Sequence, residues 1–255
     1  MNFYLKNIPE RFTKPRTSGV NMIMDKGLSL GAARNLVEAC GPFIDFIKLG
    51  FGTAYLTPQL KEKIKLYQDN GIHVYFGGTL AEAFIIRHQF DDYLQLLQDF
   101  QLEYAEISDG CMTIPHEEKC GYIKQLNDSG FKVLSEVGSK DAQKVMAPYK
   151  WLEQMEKELE AGSSFLITES REAGNIGIYR GTGEVREGLI EEILTKIPQE
   201  KIIWEAPQKN QQLFFIQLLG PNVNLGNIAT DEVLALETMR IGLRGDTFHL
   251  YLPQE

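Results

Sequence analysis

Residues 103–136 read EYAEISDGCMTIPHEEKCGYIKQLNDSGFKVLSE, and this stretch indicates the fold of the chain. It begins and ends with apolar runs of strand length, Glu103–Ser108 and Lys132–Val137, and each run carries a glutamate near its carboxyl end. Between them, Pro115 followed by acidic residues is typical of a helix start, and Gly130 is typical of a helix end. Alternation of this kind favours strands that lie parallel in one sheet.

The same alternation of a short apolar run and a longer amphipathic segment continues along the chain. Six further runs have the length and the near-continuous apolar character of strands that are covered on both faces. They are Val20–Asp25, Ile44–Gly50, Ile72–Gly77, Ser164–Glu169, Lys201–Glu205 and Val223–Gly226. Eight strands in strict alternation with helices predict an α/β fold, a (β/α)8 TIM barrel, as a single domain over residues 1–255 with a polar leader at 1–15. An open doubly wound sheet is the alternative, but no GxGxxG motif follows any of the runs.

Several helix ends also carry recognisable signals. Ser29 is expected to cap the first helix and Gly41 to end it. Thr57 with Pro58 predicts the cap and first turn of the second helix, which Gly71 ends. The later helices are bracketed by Pro148 and Gly162 and by Pro207 and Gly220, and the last begins near Thr230.

The composition is that of an ordinary globular protein and argues against several kinds of partner. The chain has 255 residues, of which 43% are hydrophobic and 24% charged, and a formal net charge of −9. This negative charge argues against nucleic acid or an anionic membrane, and an anionic substrate would need a local cluster of Lys and Arg. The three cysteines form no CxxC pair, Met1–Lys14 contains no signal-peptide run, and no apolar run approaches the roughly 20 residues of a membrane span. We therefore expect a cytoplasmic protein.

Charged residues stand at the carboxyl ends of the predicted strands, where they would gather at one rim of a barrel. The acidic members are Asp25, Glu106, Asp109, Glu136, Glu169 and Glu205, and the basic candidates are Lys26, Lys48, Lys140, Arg171, Lys209 and Arg244. Carboxylates packed this densely raise one another's pKa values unless a cation compensates them. Oxygen ligands without His or Cys suit Mg2+ or Mn2+, and the alternative is a set of structural ion pairs at the barrel mouth. No histidine has a partner at a triad spacing, which argues against a Ser–His–Asp hydrolase, and the lack of a His cluster argues against zinc.

Other residues are weaker candidates for anion binding or catalysis. The glycine turn at 77–79 could present backbone N–H groups to an anion, although any tight turn favours glycine. The asparagines around strand eight, where barrels often hold phosphate, could donate hydrogen bonds or cap backbone. They are Asn222, Asn224 and Asn227. Lys48 and Lys140 could be Schiff-base lysines, general acids or phosphate counter-charges, and their spacing does not choose between these roles.

A series of short motifs covers the chain from about Asp25 to about Phe248. They are IDFIKLGFGT at 44–53, GGTL at 77–80, EISDG at 106–110, LSEVG at 134–138 with Lys140, ESRE at 169–172, EAPQK at 205–209, NLGNI at 224–228 and GLRGDT at 242–247. Taken jointly, these motifs resemble the phosphosulfolactate synthase family, carbon–sulfur lyases that add sulfite to phosphoenolpyruvate. The resemblance implies a Mg2+-dependent barrel enzyme with a catalytic lysine after the strand-five Glu-Val-Gly motif, which Lys140 matches.

The resemblance also guides the assignment of the remaining rim residues. We expect substrate contacts from Lys26, Lys48, Arg171, Lys209 and Asn224. Glu106, Glu136 and Glu169 are the first choices as metal ligands, because consecutive barrel strands bring their ends close together. Glu205 is then available to hold a lysine in position.

Two other functions remain open on these grounds. Related plant heat-stress proteins share the motif set, which makes a non-catalytic barrel one alternative; another enolate-forming lyase or aldolase on phosphorylated three-carbon acids is the second. The retained rim charges favour an enzyme. In this family the product leads towards coenzyme M in methanogens and to sulfolactate in bacteria, and the sequence does not assign the pathway. Apolar exterior helices on a barrel of this size lead us to expect a homo-oligomer.

Overall fold

Eight strands form the centre of the computed structural model, which describes residues 2–138 and 146–253. The strands are β1 (Asn21–Asp25), β2 (Phe46–Leu49), β3 (His73–Phe76), β4 (Tyr104–Ile107), β5 (Lys132–Val137), β6 (Ser163–Thr168), β7 (Ile202–Glu205) and β8 (Leu225–Ala229). All paired neighbours run parallel in the order β3-β2-β1-β8-β7-β6-β5-β4, and β3 lies beside β4 to complete the circle. The predicted (β/α)8 TIM barrel is confirmed.

Helices connect the strands and cover the outside of the barrel. They are α1 (Leu30–Cys40), α2 (Leu60–Asp69), α3 (Gly78–Ile85), α4 (Phe90–Asp99), α5 (His116–Asp128), α6 (Pro148–Glu160), α7 (Glu187–Leu194), α8 (Lys209–Leu219) and α9 (Val233–Arg240), with short 3-10 turns at Gly41–Phe43, Thr53–Tyr55 and Gln199–Lys201. In the part of the chain that the structure describes, no helix combines the length and the apolar character that crossing a membrane requires.

The helix-end signals were informative in α1 and misleading in α2. The Ser29 side chain accepts a hydrogen bond from the Ala32 N–H at 3.2 Å and caps α1, and Gly41 ends that helix, as expected. The predicted start of the second helix at Thr57 is wrong. The Thr57 hydroxyl instead donates to the Thr53 carbonyl at 2.8 Å in the preceding turn, and α2 begins only at Leu60.

Alternation of side chains along the strands determines which residues point into the barrel. The inner apolar cluster consists of Val20, Met22, Phe46, Tyr75, Tyr104, Leu134, Ile167 and Ile203. Five charged residues stand two positions after members of this cluster on the same strand or at its end: Lys48, Glu106, Glu136, Glu169 and Glu205. Since side chains two apart share a face, all five point inwards at the carboxyl end of the barrel.

The leader lies across the opposite, amino-terminal end of the barrel. The Arg11 guanidinium donates to both carboxylate oxygens of Glu237 in α9, at 3.0 and 2.8 Å, and Arg16 pairs with Asp45 at 2.9 Å. Burial alone would raise the pKa of Glu237, but Arg11 and the nearby Arg240 hold that pKa below its ordinary value. The leader is therefore fixed to the last helix by a partly buried ion pair.

Candidate active site

A cavity of about 600 Å3 opens at the carboxyl ends of the strands. This is the end at which TIM barrels carry their active sites. The polar inward-facing side chains that line it are Lys48, Glu106, Glu136, Glu169, Glu205 and Asn227. The sequence-predicted rim is thus assembled in part. Glu106, Glu136, Glu169, Glu205, Lys48 and Arg171 line the cavity, whereas Asp25, Asp109, Lys26, Lys209 and Arg244 do not.

Lys48 is the buried cation around which three of the glutamates gather. Its Nζ lies 2.9 Å from Glu106 Oε2, 3.3 Å from Glu136 Oε2 and 3.8 Å from Glu205 Oε1, and its side chain is 8% exposed. Burial by itself would lower the pKa of Lys48, but the three carboxylates outweigh this effect and raise the pKa well above its ordinary value. Lys48 therefore keeps its proton and acts as a fixed positive charge.

Glu106 also faces the start of helix α3. Its Oε1 accepts the backbone N–H of Gly78 at 2.5 Å, so the anion at the 77–79 turn is the protein's own carboxylate. A side chain at Gly78 would not fit, because its Cβ would lie 2.1 Å from Ser108 Oγ. Burial raises the pKa of Glu106; Lys48 opposes this and Glu136 adds to it, and the net direction is upward.

Glu169 and Glu205 are tied to the beginning of the loop that follows β6. Glu205 Oε2 accepts the N–H and the O–H of Ser170, at 3.0 and 2.9 Å, and Glu169 Oε1 accepts the N–H of Arg171 at 2.6 Å. Arg171 has a left-handed backbone with φ of 55°, and its exposed side chain lines the cavity. These bonds fix the orientation of both carboxylates and place Arg171 at the entrance.

Two further predicted basic residues carry exposed ion pairs and are not among the residues that line the cavity. Lys26, which follows β1, pairs with Glu172, and Lys209, at the start of α8, pairs with Asp246 at 2.5 Å. All four side chains are between about one third and three fifths exposed. Lys140, the predicted catalytic lysine, lies outside the described residues.

Two of the residues considered for this rim lie elsewhere. Asp25 is the last residue of β1, but its carboxylate points away from the cavity, towards Lys63 Nζ at 2.9 Å and the Tyr67 hydroxyl at 3.1 Å. The expected place of Asp25 on the rim is wrong, because Asp25 alternates with the inward-facing Met24. Asn224 lies at the amino-terminal end, where its Oδ1 accepts the Val20 N–H at 3.1 Å. The structure does not bring it to the cavity.

Glu82 in α3 fixes the loop after β4 and was missed by the sequence analysis. Its carboxylate accepts the N–H groups of Gly110, Cys111 and Met112 at 3.1, 2.5 and 2.9 Å, and it is 2% exposed. Gly110 and Cys111 line the cavity. The available signal was an isolated acidic residue within the apolar segment LAEAF at 80–84.

Lys119 supports the end of β5 from behind and was likewise missed. Its Nζ donates to the Glu136 carbonyl at 2.5 Å and pairs with Glu158 in α6 at 2.9 Å. A third contact, at 3.3 Å, reaches Asp109, another member of the predicted acidic rim. The main chain at Glu136 is thereby connected to both flanking helices, α5 and α6.

The donor set of the cavity suits a hard cation, although no complete cage is present. Among the described lining residues, the carboxylates are Glu106, Glu136, Glu169, Glu172 and Glu205, against the cations Lys48 and Arg171. In the described ranges, no group of three or more His, Cys, Asp or Glu side chains is placed to hold a metal ion alone. Mg2+ usually takes one or two protein carboxylates and completes its coordination with water and substrate oxygens, so these residues fit such an ion without forming a cage.

Comparison with known proteins gives a consistent result over nearly the whole chain. The family model described as (2R)-phospho-3-sulfolactate synthase (ComA) matches residues 9–246. Phosphosulfolactate synthase of Methanothermobacter thermautotrophicus is 43% identical over 97% of this chain and 98% of its own length, and that of Bacillus subtilis is 40% identical over 98% and 100%. Protein HEAT-STRESS-ASSOCIATED 32 of Arabidopsis thaliana is more distant, at 23% identity over 91% of this chain and 88% of its own length.

Among solved structures, 3-hexulose-6-phosphate synthase from Salmonella typhimurium is similar in fold. The match covers 88% of this chain and 100% of that chain, with a TM-score of 0.57 at 15% identity, which shows the fold alone.

Proposed function

The chain belongs to the (2R)-phospho-3-sulfolactate synthase family and is a lyase-type enzyme, and on this premise we propose that its cavity joins sulfite to C3 of phosphoenolpyruvate. The observation that carries the proposal is the match at 40–43% identity to three phosphosulfolactate synthases, each over at least 90% of this chain. The plant stress protein is far more distant, and no described residue of the cavity favours a non-catalytic barrel over an enzyme.

The proposed reaction forms one carbon–sulfur bond and one carbon–hydrogen bond. The sulfur lone pair of sulfite attacks C3, and the electrons of the C2–C3 double bond move to C2 and into the carboxylate as an enolate. A proton then returns to C2 from one face, giving (2R)-phospho-3-sulfolactate. The phosphate ester stays intact, so no leaving group departs.

Lys48 and Lys140 have different tasks in this proposal. The pKa of Lys48 is raised by its three glutamates, which makes it a poor proton donor near neutral pH and suits it to balancing charge. The proton donor is therefore proposed to be Lys140, on the segment that follows β5.

Charge in the cavity favours a divalent cation as cofactor, which we propose to be Mg2+. Two anionic substrates must enter a site whose described lining residues already carry more carboxylates than cations. Glu106, Glu136 and Glu169 are the carboxylates proposed to supply the protein ligands, with water and substrate oxygens completing the coordination. When bound, Mg2+ supplies positive charge that stabilises an enolate as a Lewis acid does.

The exposed ion pairs of Lys26 and Lys209 are proposed as replaceable partners for the anionic substrates, although of their four residues only Glu172 lines the cavity. Lys26 and Lys209 are each paired with one exposed carboxylate, and such surface pairs contribute only about 0–1 kcal/mol. A phosphate or sulfite oxygen can therefore take the place of Glu172 or Asp246 at little cost. Arg171, held at the entrance by its bond to Glu169, is proposed as the third cation.

The proposal is tested by phosphorus NMR of the purified protein with phosphoenolpyruvate, sulfite and Mg2+. We expect a new phosphomonoester signal that disappears when sulfite is omitted or EDTA is added. A folded, metal-loaded protein that leaves phosphoenolpyruvate unchanged would contradict the proposed reaction. We also propose that the enzyme works in the cytoplasm as a homo-oligomer; light scattering at micromolar concentration tests the assembly, and a monomer would contradict it.

A further inference from the structure

Strand β8 contains one more residue than its pairing with β1 requires. Asn21 is aligned with Leu225 and Ile23 with Ile228, so two steps along β1 correspond to three along β8. Leu225 and Ile228 both belong to the outer core between sheet and helices. The extra residue forms a β-bulge, a device that re-aims a side chain next to many active sites.

Asn227 lies in this bulge and adopts a left-handed backbone with φ of 59°. Only glycine adopts this conformation freely, and Asn and Asp tolerate it better than other residues. The backbone N–H of Asn227 points at Met22 Sδ at 3.4 Å, and the residue lines the cavity. In a regular strand Asn227 would point to the outer face of the barrel, as Leu225 does. The bulge instead turns its side chain into the barrel.

The side-chain amide of Asn227 has no hydrogen-bond partner among the described residues. The residue is nevertheless only 8% exposed. Its amide atoms are not among the fully buried side-chain atoms that lack a partner, so they reach the cavity, and a strained backbone position that keeps an amide there points to a ligand. The amide supplies two N–H donors and one acceptor oxygen.

The distribution of charge around the cavity indicates which group of a ligand the amide meets. The four buried glutamates stand at the ends of β4, β5, β6 and β7. Among the described residues, the arc formed by β8, β1 and β2 presents Asn227, Met24 and Lys48 to the cavity and no carboxylate, because Asp25 points outwards. Lys26 follows β1 in the chain and pairs with Glu172, which lines the cavity. A phosphate dianion is repelled by the glutamate arc and meets donors in the other one.

We infer that Asn227 donates hydrogen bonds to the phosphate of the phosphorylated substrate and so orients it, which leaves the substrate carboxylate for the cation that the glutamates are proposed to hold. This inference rests on the proposed function, since it assumes phosphoenolpyruvate as the substrate. It makes Asn227 a substrate-binding residue. Asn227 and Asn224 both belong to the motif NLGNI at 224–228, and their spacing in the sequence does not show which of them faces the cavity.

The test separates the amide from the backbone conformation that the bulge demands. Asn227→Gly keeps the left-handed backbone and removes the amide, whereas Asn227→Asp keeps the shape and replaces the donors with a negative charge. Gln101→Gly is the matched control, because Gln101 also has a positive φ, 52°, but is exposed and lies outside the cavity. Affinity for phosphoenolpyruvate is measured by calorimetry without sulfite, together with melting temperature and the inhibition constants of inorganic phosphate and oxalate.

We expect Asn227→Gly to weaken binding of phosphoenolpyruvate and of phosphate about 10- to 100-fold, the effect of losing a hydrogen bond to a charged group. Asn227→Asp weakens both further, while oxalate inhibition and the melting temperature stay close to wild type. Gln101→Gly leaves all four quantities unchanged. If Asn227→Gly does not fold, the Asp variant carries the same comparison.

Wild-type affinity for phosphoenolpyruvate in Asn227→Gly would overturn the inference and leave Asn227 as a residue chosen for its backbone alone. A loss confined to oxalate would also overturn it, because the amide would then meet the carboxylate. These results differ from failure of the proposed function, in which the wild-type protein itself neither binds nor converts phosphoenolpyruvate; in that case the inference falls with it.

Discussion

Replacing Lys48 by methionine would test the electrostatic balance of the cavity most directly. Methionine keeps the length of the side chain but leaves Glu106, Glu136 and Glu205 facing one another without the cation that lies 2.9–3.8 Å from them. Removing one partner of a buried ion pair typically costs about 3–5 kcal/mol. For a chain of this size, that corresponds to a fall in melting temperature of about 6–20 °C.

The loss of stability should depend on pH in a definite direction. In the wild type, the raised pKa of Lys48 stabilises the folded state. This stabilisation is fully present at any pH below about 10.4, the pKa of lysine in the unfolded chain, and is lost only as the pH rises through the pKa of Lys48 in the folded state. The interval from pH 5 to 8 lies inside this window. In Lys48→Met the effect of Lys48 that lowers the pKa of Glu106 is lost. Burial and Glu136 then outweigh the Gly78 N–H, which alone still lowers this pKa, so the folded state binds protons more tightly than the unfolded chain. The variant should therefore lose stability as the pH rises from about 5 to 8, and recover at the acidic end.

Urea unfolding followed by circular dichroism at pH 5.5, 7 and 8 measures this free energy. Lys26→Met is the matched control: its partner Glu172 is exposed, and we expect a change within about 0.5 kcal/mol at every pH. Lys48→Met combined with Glu106→Gln should regain part of the loss, because one buried charge is removed. A Lys48→Met protein as stable as wild type at pH 8, or equally destabilised at both ends of the pH range, would refute the reasoning.

Three further substitutions address the chemistry and the packing of the site. Lys140→Ala should abolish turnover in the phosphorus NMR assay while circular dichroism shows an intact fold, and near-wild-type turnover would remove Lys140 as the proton donor. Glu136→Gln should shift the Mg2+ dependence of the rate to higher concentration, whereas an unchanged titration curve would exclude Glu136 as a ligand. Gly78→Ala places a Cβ 2.1 Å from Ser108 Oγ and should cost about 1–3 kcal/mol of unfolding free energy, with Thr79→Ala as the neighbouring control; a melting temperature equal to wild type would show that the loop after β4 yields easily.

The barrel and its inward-facing glutamates could be predicted because every second side chain along a strand points to the same face. An inward apolar residue is followed two positions later by an inward glutamate, as in Leu134 and Glu136, and this pattern survives any uncertainty in strand ends. Asp25 was misplaced for the same reason: it ends a strand as the glutamates do, but one step out of phase. The sequence shows that a charge ends the strand without showing which face the last residue takes.

The rest of the site depends on contacts that no local pattern encodes. Lys48 was recognised as a rim cation, but its three partners come from strands more than fifty residues away. Asn224 was expected to contact the substrate in place of Asn227, because the bulge that changes the phase of β8 between them is not visible in the sequence. An argument from sequence spacing assumes that side chains alternate regularly along a strand. The β-bulge in β8 breaks this alternation, and it can be identified only from the pairing of β8 with β1.

The ion pair between Arg11 and Glu237 has a consequence for the folding of the chain during its synthesis. The two residues are 226 positions apart, so during synthesis the leader emerges long before its partner exists. A ribosome adding about 5–20 residues per second needs about 10–45 seconds to cover that distance. Throughout this interval Arg11 has no Glu237 to pair with, whereas Arg16 lies only 29 positions before its partner Asp45. The contact between the leader and α9 can therefore form only after that helix has left the ribosome, long after the contact between Arg16 and Asp45 becomes possible.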